Sequence, residues 1–296
     1  MLLDRRRLLA VGGAVAVALT TGCGMTNERP FGSRGAPVTR RVPDELGEWW
    51  VPSTSGPTPT VVLVHGGYWQ PGFTRHLEDD LAADLCRRGY LVWNIDYRPA
   101  TDGWPAPLVS AASAYDHLLV GRFSDRVDRH RIAIVGHSAG GQLALWLASR
   151  DRLPKDAPGS PNVQWLRPAL AVGQAPVAAL IPAAHEQLGG GAVIELCGGT
   201  PATVADRYRL TDPSELVPAG CPVILIHGHA DDIVPRSQSR RYEAAGYAAH
   251  ANVQLIIVSG GHFEHLEPNS VACERLRSVL AASLGEGDLP RQRITG

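Results

Sequence analysis

Gly136-His137-Ser138-Ala139-Gly140 places one serine between small residues, directly after the apolar run Arg131 to Val135 and at the head of a helical stretch. A strand that turns sharply into a helix around a serine leaves its hydroxyl exposed at the tip, and the flanking glycines and Ala139 remove the side chains that would collide there. A serine hydroxyl is a weak nucleophile, so carbonyl chemistry at Ser138 requires a base within hydrogen-bond reach and an acid to orient that base. Two later segments supply such groups. Val223 to Ile226 runs into His227-Gly228-His229-Ala230-Asp231-Asp232-Ile233-Val234-Pro235, and Val253 to Val258 runs into Ser259-Gly260-Gly261-His262-Phe263. His262 follows two glycines that allow a tight loop, with His265 as the alternative three residues on; Asp231 and Asp232 are both candidate acids. A tetrahedral intermediate also needs N–H groups aimed at its oxygen. Ala139, following the nucleophile, offers one. Gly67 and Tyr68, in His65-Gly66-Gly67-Tyr68-Trp69, offer two more where the glycines let the backbone approach a substrate. His65 is read as bracing that loop, and Tyr68 and Trp69 as walls of a substrate pocket.

These segments must be held by a scaffold, and the pattern of the chain specifies one. Strands are expected over Glu48 to Val51, Thr60 to Val64, Tyr90 to Asp96, Arg131 to Val135, Leu170 to Gly173, Val223 to Ile226 and Val253 to Val258. Helices are expected over His76 to Arg88, Leu108 to Val120, Ala139 to Ser149, Arg236 to Ala248 and Ser270 to Leu284. Uninterrupted β-branched runs such as Thr60-Val61-Val62-Leu63-Val64 indicate strands buried on both faces. Strands alternating with helices give an α/β fold with a mostly parallel central sheet, whose ligands bind beyond the carboxyl ends of the strands. Residues 178–219 fit this alternation least, because Pro182, Gly189-Gly190-Gly191 and Gly198-Gly199 break any long element. They read as a small cap insertion.

The chain has 296 residues, 44% hydrophobic and 19% charged, with a net charge of −1. That suits one large domain and leaves no basic surplus with which to grip nucleic acid. At the N-terminus, Arg5-Arg6-Arg7 precedes an apolar run from Leu8 to Leu19 that is short for a membrane span. Residues 1–22 have the shape of a signal peptide: Asp4 to Leu9 resembles a twin-arginine export signal, and Leu19-Thr20-Thr21-Gly22-Cys23 resembles the cleavage box of bacterial lipoproteins. That resemblance implies a lipid anchor on Cys23 and a position at the outer face of the cytoplasmic membrane. Ala16-Val17-Ala18 offers a competing cleavage site that would give a secreted or periplasmic protein. Residues 23–46 read as a flexible tether, 47–284 as the folded domain and 285–296 as a polar tail. The five cysteines, at 23, 86, 197, 221 and 273, have no metal-ligand spacing; disulfides and buried free thiols are both compatible with them.

Taken together, His65 to Trp69, Asp96-Tyr97-Arg98-Pro99, the Ser138 turn and the two later loops resemble the α/β-hydrolase superfamily across nearly the whole mature chain. The resemblance implies a triad in the order serine, acid, histidine. The His227 to Pro235 segment resembles the H-G-x-x-D-x-x-V-P pattern of that group, which selects Asp231 as the acid and leaves Asp232 as a turn residue. The family comparison thus implies a serine hydrolase with Ser138, Asp231 and His262 as its triad and no metal or organic cofactor. Its substrate would be a small ester or activated amide. His65-Gly66-Gly67-Tyr68-Trp69-Gln70 is similar to the arylformamidase (kynurenine formamidase) branch, so hydrolysis of a formamide stands beside short-acyl ester hydrolysis. Asp96 and Arg98 match a segment that is structural in hormone-sensitive-lipase-like esterases. Two alternatives are a prolyl-oligopeptidase-like peptidase, which shares the Asp231 loop, and a surface lipoprotein that keeps the fold without catalysis.

Overall fold

The computed structural model describes residues 39–161 and 165–285. Its centre is an eight-stranded sheet: β1 Arg40–Asp44, β2 Gly47–Val51, β3 Thr58–Val64, β4 Leu91–Ile95, β5 Val127–His137, β6 Leu170–Gln174, β7 Val223–Gly228 and β8 Val253–Val258. Their spatial order is β1-β2-β4-β3-β5-β6-β7-β8. β2 runs antiparallel to both its neighbours, and all pairings from β4 through β8 are parallel. The α/β fold and the mostly parallel sheet expected from the sequence are therefore present.

Alternation along the strands explains why their sequences lack polar breaks. In β3, Val62 and Val64 enter the apolar cluster on one face with Trp49, Trp93, Ile134 and Trp146, while Val61 and Leu63 enter the other with Val92, Val135, Leu85 and Leu276. Successive side chains point to opposite faces, and both faces are covered. Helices α1 Asp79–Arg87 and α8 Val271–Leu284 bury one face; α2 Ala106–Asp116 and α3 Ala139–Ala148 bury the other, and α7 Ser237–Ala248 packs on β8.

Register then sets where chemistry can happen. Val64 pairs with Gly136, His137 with Gln174, Gln174 with Ile226, and Gly228 with Val258. The carboxyl ends of β3, β5, β6, β7 and β8 therefore lie along one edge of the sheet. The loops bearing Gly67, Ser138, Asp231 and His262 all leave from that edge.

One expectation needs correction. The segment read as a tether up to residue 46 includes β1, which pairs with β2 across a two-residue turn at Glu45 and Leu46. Its sequence, Arg40-Arg41-Val42-Pro43-Asp44, is charged and contains proline, and such a composition is tolerated on a strand at the sheet's edge. Residues 178–219, read as a small cap insertion, lie between β6 and β7. They form three short helices, α4 Leu180–His185, α5 Ala192–Cys197 and α6 Ala205–Thr211. Leu180, Ala183, Val193, Leu196 and Tyr208 from this segment belong to the same apolar cluster as Trp69, Leu143 and Trp146. The signal segment with Cys23, residues 24–38 of the tether and residues 286–296 of the tail lie outside the described residues.

Candidate active site

The turn at Ser138 has the geometry its sequence implies. Ser138 has φ 58° and ψ −119°, a conformation that costs a non-glycine residue on the order of 1–3 kcal/mol and is held by its surroundings. Its N–H donates to the Gln174 carbonyl at 2.8 Å, and its own carbonyl accepts from Val177 N–H at 3.2 Å. The two glycines are required by close approach. A Cβ on Gly136 would lie 2.1 Å from the Gly140 carbonyl oxygen, and one on Gly140 would lie 2.0 Å from the Val64 carbonyl oxygen. Ala139 opens α3, where first-turn N–H groups have no acceptor within the helix.

His262 and Asp231 are brought together. His262 Nδ1 lies 2.8 Å from Asp231 Oδ2, and both side chains are buried. The other carboxylate oxygen of Asp231 accepts from the N–H groups of Ile233 at 2.9 Å and Val234 at 2.8 Å. His227 Nε2 stands 3.3 Å from Asp231 Oδ2 while bonding the Val234 carbonyl, so His227 packs behind the acid. Burial alone would raise the Asp231 pKa. The hydrogen bonds from His227 and His262, the attraction of His262 and the Val234 N–H outweigh it and hold the carboxyl far below the usual carboxylate range. Asp231 is therefore an ionised acceptor, which puts a proton of His262 on Nδ1. Asp232 is exposed, and His265 is buried with its pKa pushed down to about 3 by burial and by the neighbouring His262 and His227. Neither takes the place the sequence offered it as an alternative.

The loop after β3 has unusual backbone. Gly67, Tyr68 and Trp69 have φ of 112°, 52° and 56°, and Gln70 N–H closes a turn on the Gly67 carbonyl at 3.0 Å. Positive φ at two bulky residues is strained and persists only where side chains enforce it. Tyr68 donates its hydroxyl to the Ile233 carbonyl at 3.2 Å, tying this loop to the acid loop, and its ring abuts Gly189. Trp69 donates its indole N–H to Gln142 Oε1 at 3.1 Å, and Gln142 in turn donates to the Thr211 carbonyl at 2.9 Å. Trp69 was expected to line a pocket; at 1% exposure, with its N–H bonded inside the core, it is a brace. Gly67 sits against Phe73, whose ring would be 2.3 Å from an added Cβ. His65 braces the loop as expected: Nδ1 lies 2.7 Å from the Gly66 carbonyl and the ring stacks on Tyr97 at 4.3 Å. Burial pushes its pKa down to about 4, so it is neutral at pH 7.

Sequence reasoning missed Gln142, Asp212 and His137. Asp212 accepts hydrogen bonds from Leu180 N–H, Ile181 N–H and Ser214, which pins the 178–219 segment although burial pushes its pKa up to about 6. Gln142 and Asp212 act through partners 73 and about 30 residues distant, for which no local pattern exists. His137 is visible in the sequence as the variable residue of the Ser138 motif. Among the described residues, Cys86, Cys197, Cys221 and Cys273 are free thiols, no group of three or more His, Cys, Asp or Glu could hold a metal ion, and no helix is long and apolar enough to cross a membrane.

Comparison with known proteins agrees with this architecture. The chain is 26% identical over 226 residues to isoprenylcysteine alpha-carbonyl methylesterase of Arabidopsis thaliana, covering 71% of this chain and 52% of the plant protein. It is 33% identical over 131 residues to versiconal hemiacetal acetate esterase of Dothistroma septosporum, covering 43% and 35%. The chain thus spans about half the length of the first relative and a third of the second. A truncated carbohydrate esterase from gut microbiota superposes with a TM-score of 0.70 at 17% identity, covering 86% of this chain and 99% of that one, which bears on fold alone. The profile of the BD-FAE family matches residues 49–245. With that match, and with the sheet and strained serine turn described above, this chain belongs to the BD-FAE family of the α/β-hydrolase class.

Proposed function

We propose that this protein is a serine hydrolase that cleaves small carboxylic esters through an acyl-enzyme on Ser138. The observation that carries the reading is the buried Asp231–His262 pair, with the imidazole proton fixed on Nδ1. His262 Nε2 takes the Ser138 proton as Oγ attacks the ester carbonyl, and the oxyanion is met by the N–H groups of Ala139, Gly67 and Tyr68. Each such donor contributes roughly 2.7–4 kcal/mol to the transition state. His262 then passes its proton to the departing alcohol, and a water molecule activated by the same imidazole releases the acid. Ester rather than peptide chemistry is supported by the relatives named as esterases.

A second reading, hydrolysis of an aryl formamide, is favoured by the His65 to Gln70 motif alone. Purified protein assayed on a p-nitrophenyl acyl series and on N-formylkynurenine separates the two. Higher kcat/KM on short acyl esters is the expected outcome; preference for the formamide would replace it. The signal and lipoprotein-like box support export and anchoring through Cys23, which metabolic labelling with a fatty acid and loss of label in Cys23→Ala would test.

A further inference from the structure

The residue ahead of the nucleophile occupies a position that the mechanism above does not use. His137 is 3% exposed, and its Nε2 lies 2.9 Å from the backbone carbonyl oxygen of His262. A carbonyl oxygen only accepts, so the His137 proton is on Nε2 and its Nδ1 is bare. The same ring reaches the loop after β3: a Cβ on Gly66 would lie 3.1 Å from His137 Nδ1 and 3.1 Å from Ser138 Cβ. The His137 and His262 rings have centroids 4.6 Å apart. One imidazole therefore bonds the backbone of the base and fills the space beside Gly66 while belonging to the residue next to the nucleophile.

The base needs such a hold. His262 follows Gly260 and Gly261, and Gly260 has φ 106°, a backbone with little intrinsic stiffness. The Asp231 bond fixes one ring nitrogen but leaves the ring free to swing about that contact if its backbone shifts. We propose that His137 is a positioning residue that holds the backbone of His262 in register with Ser138 through its Nε2–H. The proposal rests on the triad reading given above. Burial, together with the nearby His262 and His265, keeps His137 neutral, so no second positive charge stands beside the imidazolium formed at His262.

The test compares His137→Met, which keeps side-chain length without a donor, with His137→Gln, which keeps an N–H. The whole protein is used, with kcat and KM on p-nitrophenyl acetate, the rate of Ser138 phosphonylation by an alkyl fluorophosphonate, and the melting temperature as readouts. His137→Met is expected to lower kcat and the labelling rate by about 10- to 100-fold, the scale of a small misplacement of reacting groups, with KM within about twofold of wild type. His137→Gln is expected to recover most of that loss. Equal rates for the two variants, or a wild-type rate for His137→Met, would overturn the proposal. If His137→Met does not fold, ¹⁵N spectra of the wild-type imidazoles decide: a neutral ring protonated on Nε2 supports it, and a ring protonated on Nδ1 or charged at neutral pH overturns it. A folded wild-type protein that takes no label on Ser138 would overturn the triad reading itself, a result distinct from normal labelling in both variants.

Discussion

The two sides of the Ser138 turn are built in different ways. On the side of β7 and β8, the geometry of the site is made by side chains that bond within their own loop or the adjacent one: Asp231 to Ile233 and Val234, and His262 to Asp231. On the side of β3, it is made by strained backbone at Gly67, Tyr68 and Trp69, held by bonds to residues far away in the chain such as Gln142 and Ile233. A site assembled from local side-chain bonds tolerates change around it but not in it. A site assembled from backbone strain depends on the packing of distant parts.

The largest effect should come from the first side. Asp231→Asn should lower kcat by about ten-thousandfold, because the amide no longer fixes the imidazole tautomer, while Asp232→Asn should stay within about threefold. Steady-state assays of both variants check the choice of acid, and the reverse pattern would break it. On the second side, Gly67→Ala combines positive φ with a Cβ forced against Phe73. It should lower kcat by roughly 10²- to 10³-fold with KM little changed, the signature of a lost oxyanion donor.

The smallest effect sharpens the contrast by its pH dependence. Glu78 ends the short turn Arg75–Glu78 packed on β3 and β4 and is buried with one carboxyl oxygen lacking a hydrogen-bond partner; burial followed by repulsion from Asp79 pushes its pKa up to about 8. An unfolded glutamate titrates at ~4.3, so between that pH and about 8 the folded protein holds a proton that the unfolded chain releases. Stability from this group is therefore present at low pH and falls as pH rises through that window. Glu78→Gln should melt higher than wild type by a few degrees, with the gap widening from pH 5 to pH 8 in differential scanning calorimetry.

How much of this was legible in the sequence follows the same division. Strand periodicity and the chain order of Ser138, Asp231 and His262 identified the sheet and the local side, because burial on both faces and short-range turns leave short-range patterns. β1 was missed because a polar, proline-containing edge strand depends on its partner rather than on its own pattern. The three short helices of residues 178–219 were unreadable because glycines interrupt them and the carboxylate that anchors Leu180, Asp212, stands about 30 residues further along the chain. Trp69 was misread because the composition of a loop does not say whether its aromatic ring turns toward solvent or toward Gln142.

Covalent labelling shows whether Ser138 carries the acyl group. Wild-type protein and Ser138→Ala would be treated with an alkyl fluorophosphonate, digested, and mapped by mass spectrometry alongside their rates on p-nitrophenyl acetate. One adduct per chain is expected on the peptide containing Ser138, with neither adduct nor turnover in Ser138→Ala. Esterase activity surviving in Ser138→Ala, or an adduct on another residue, would contradict it.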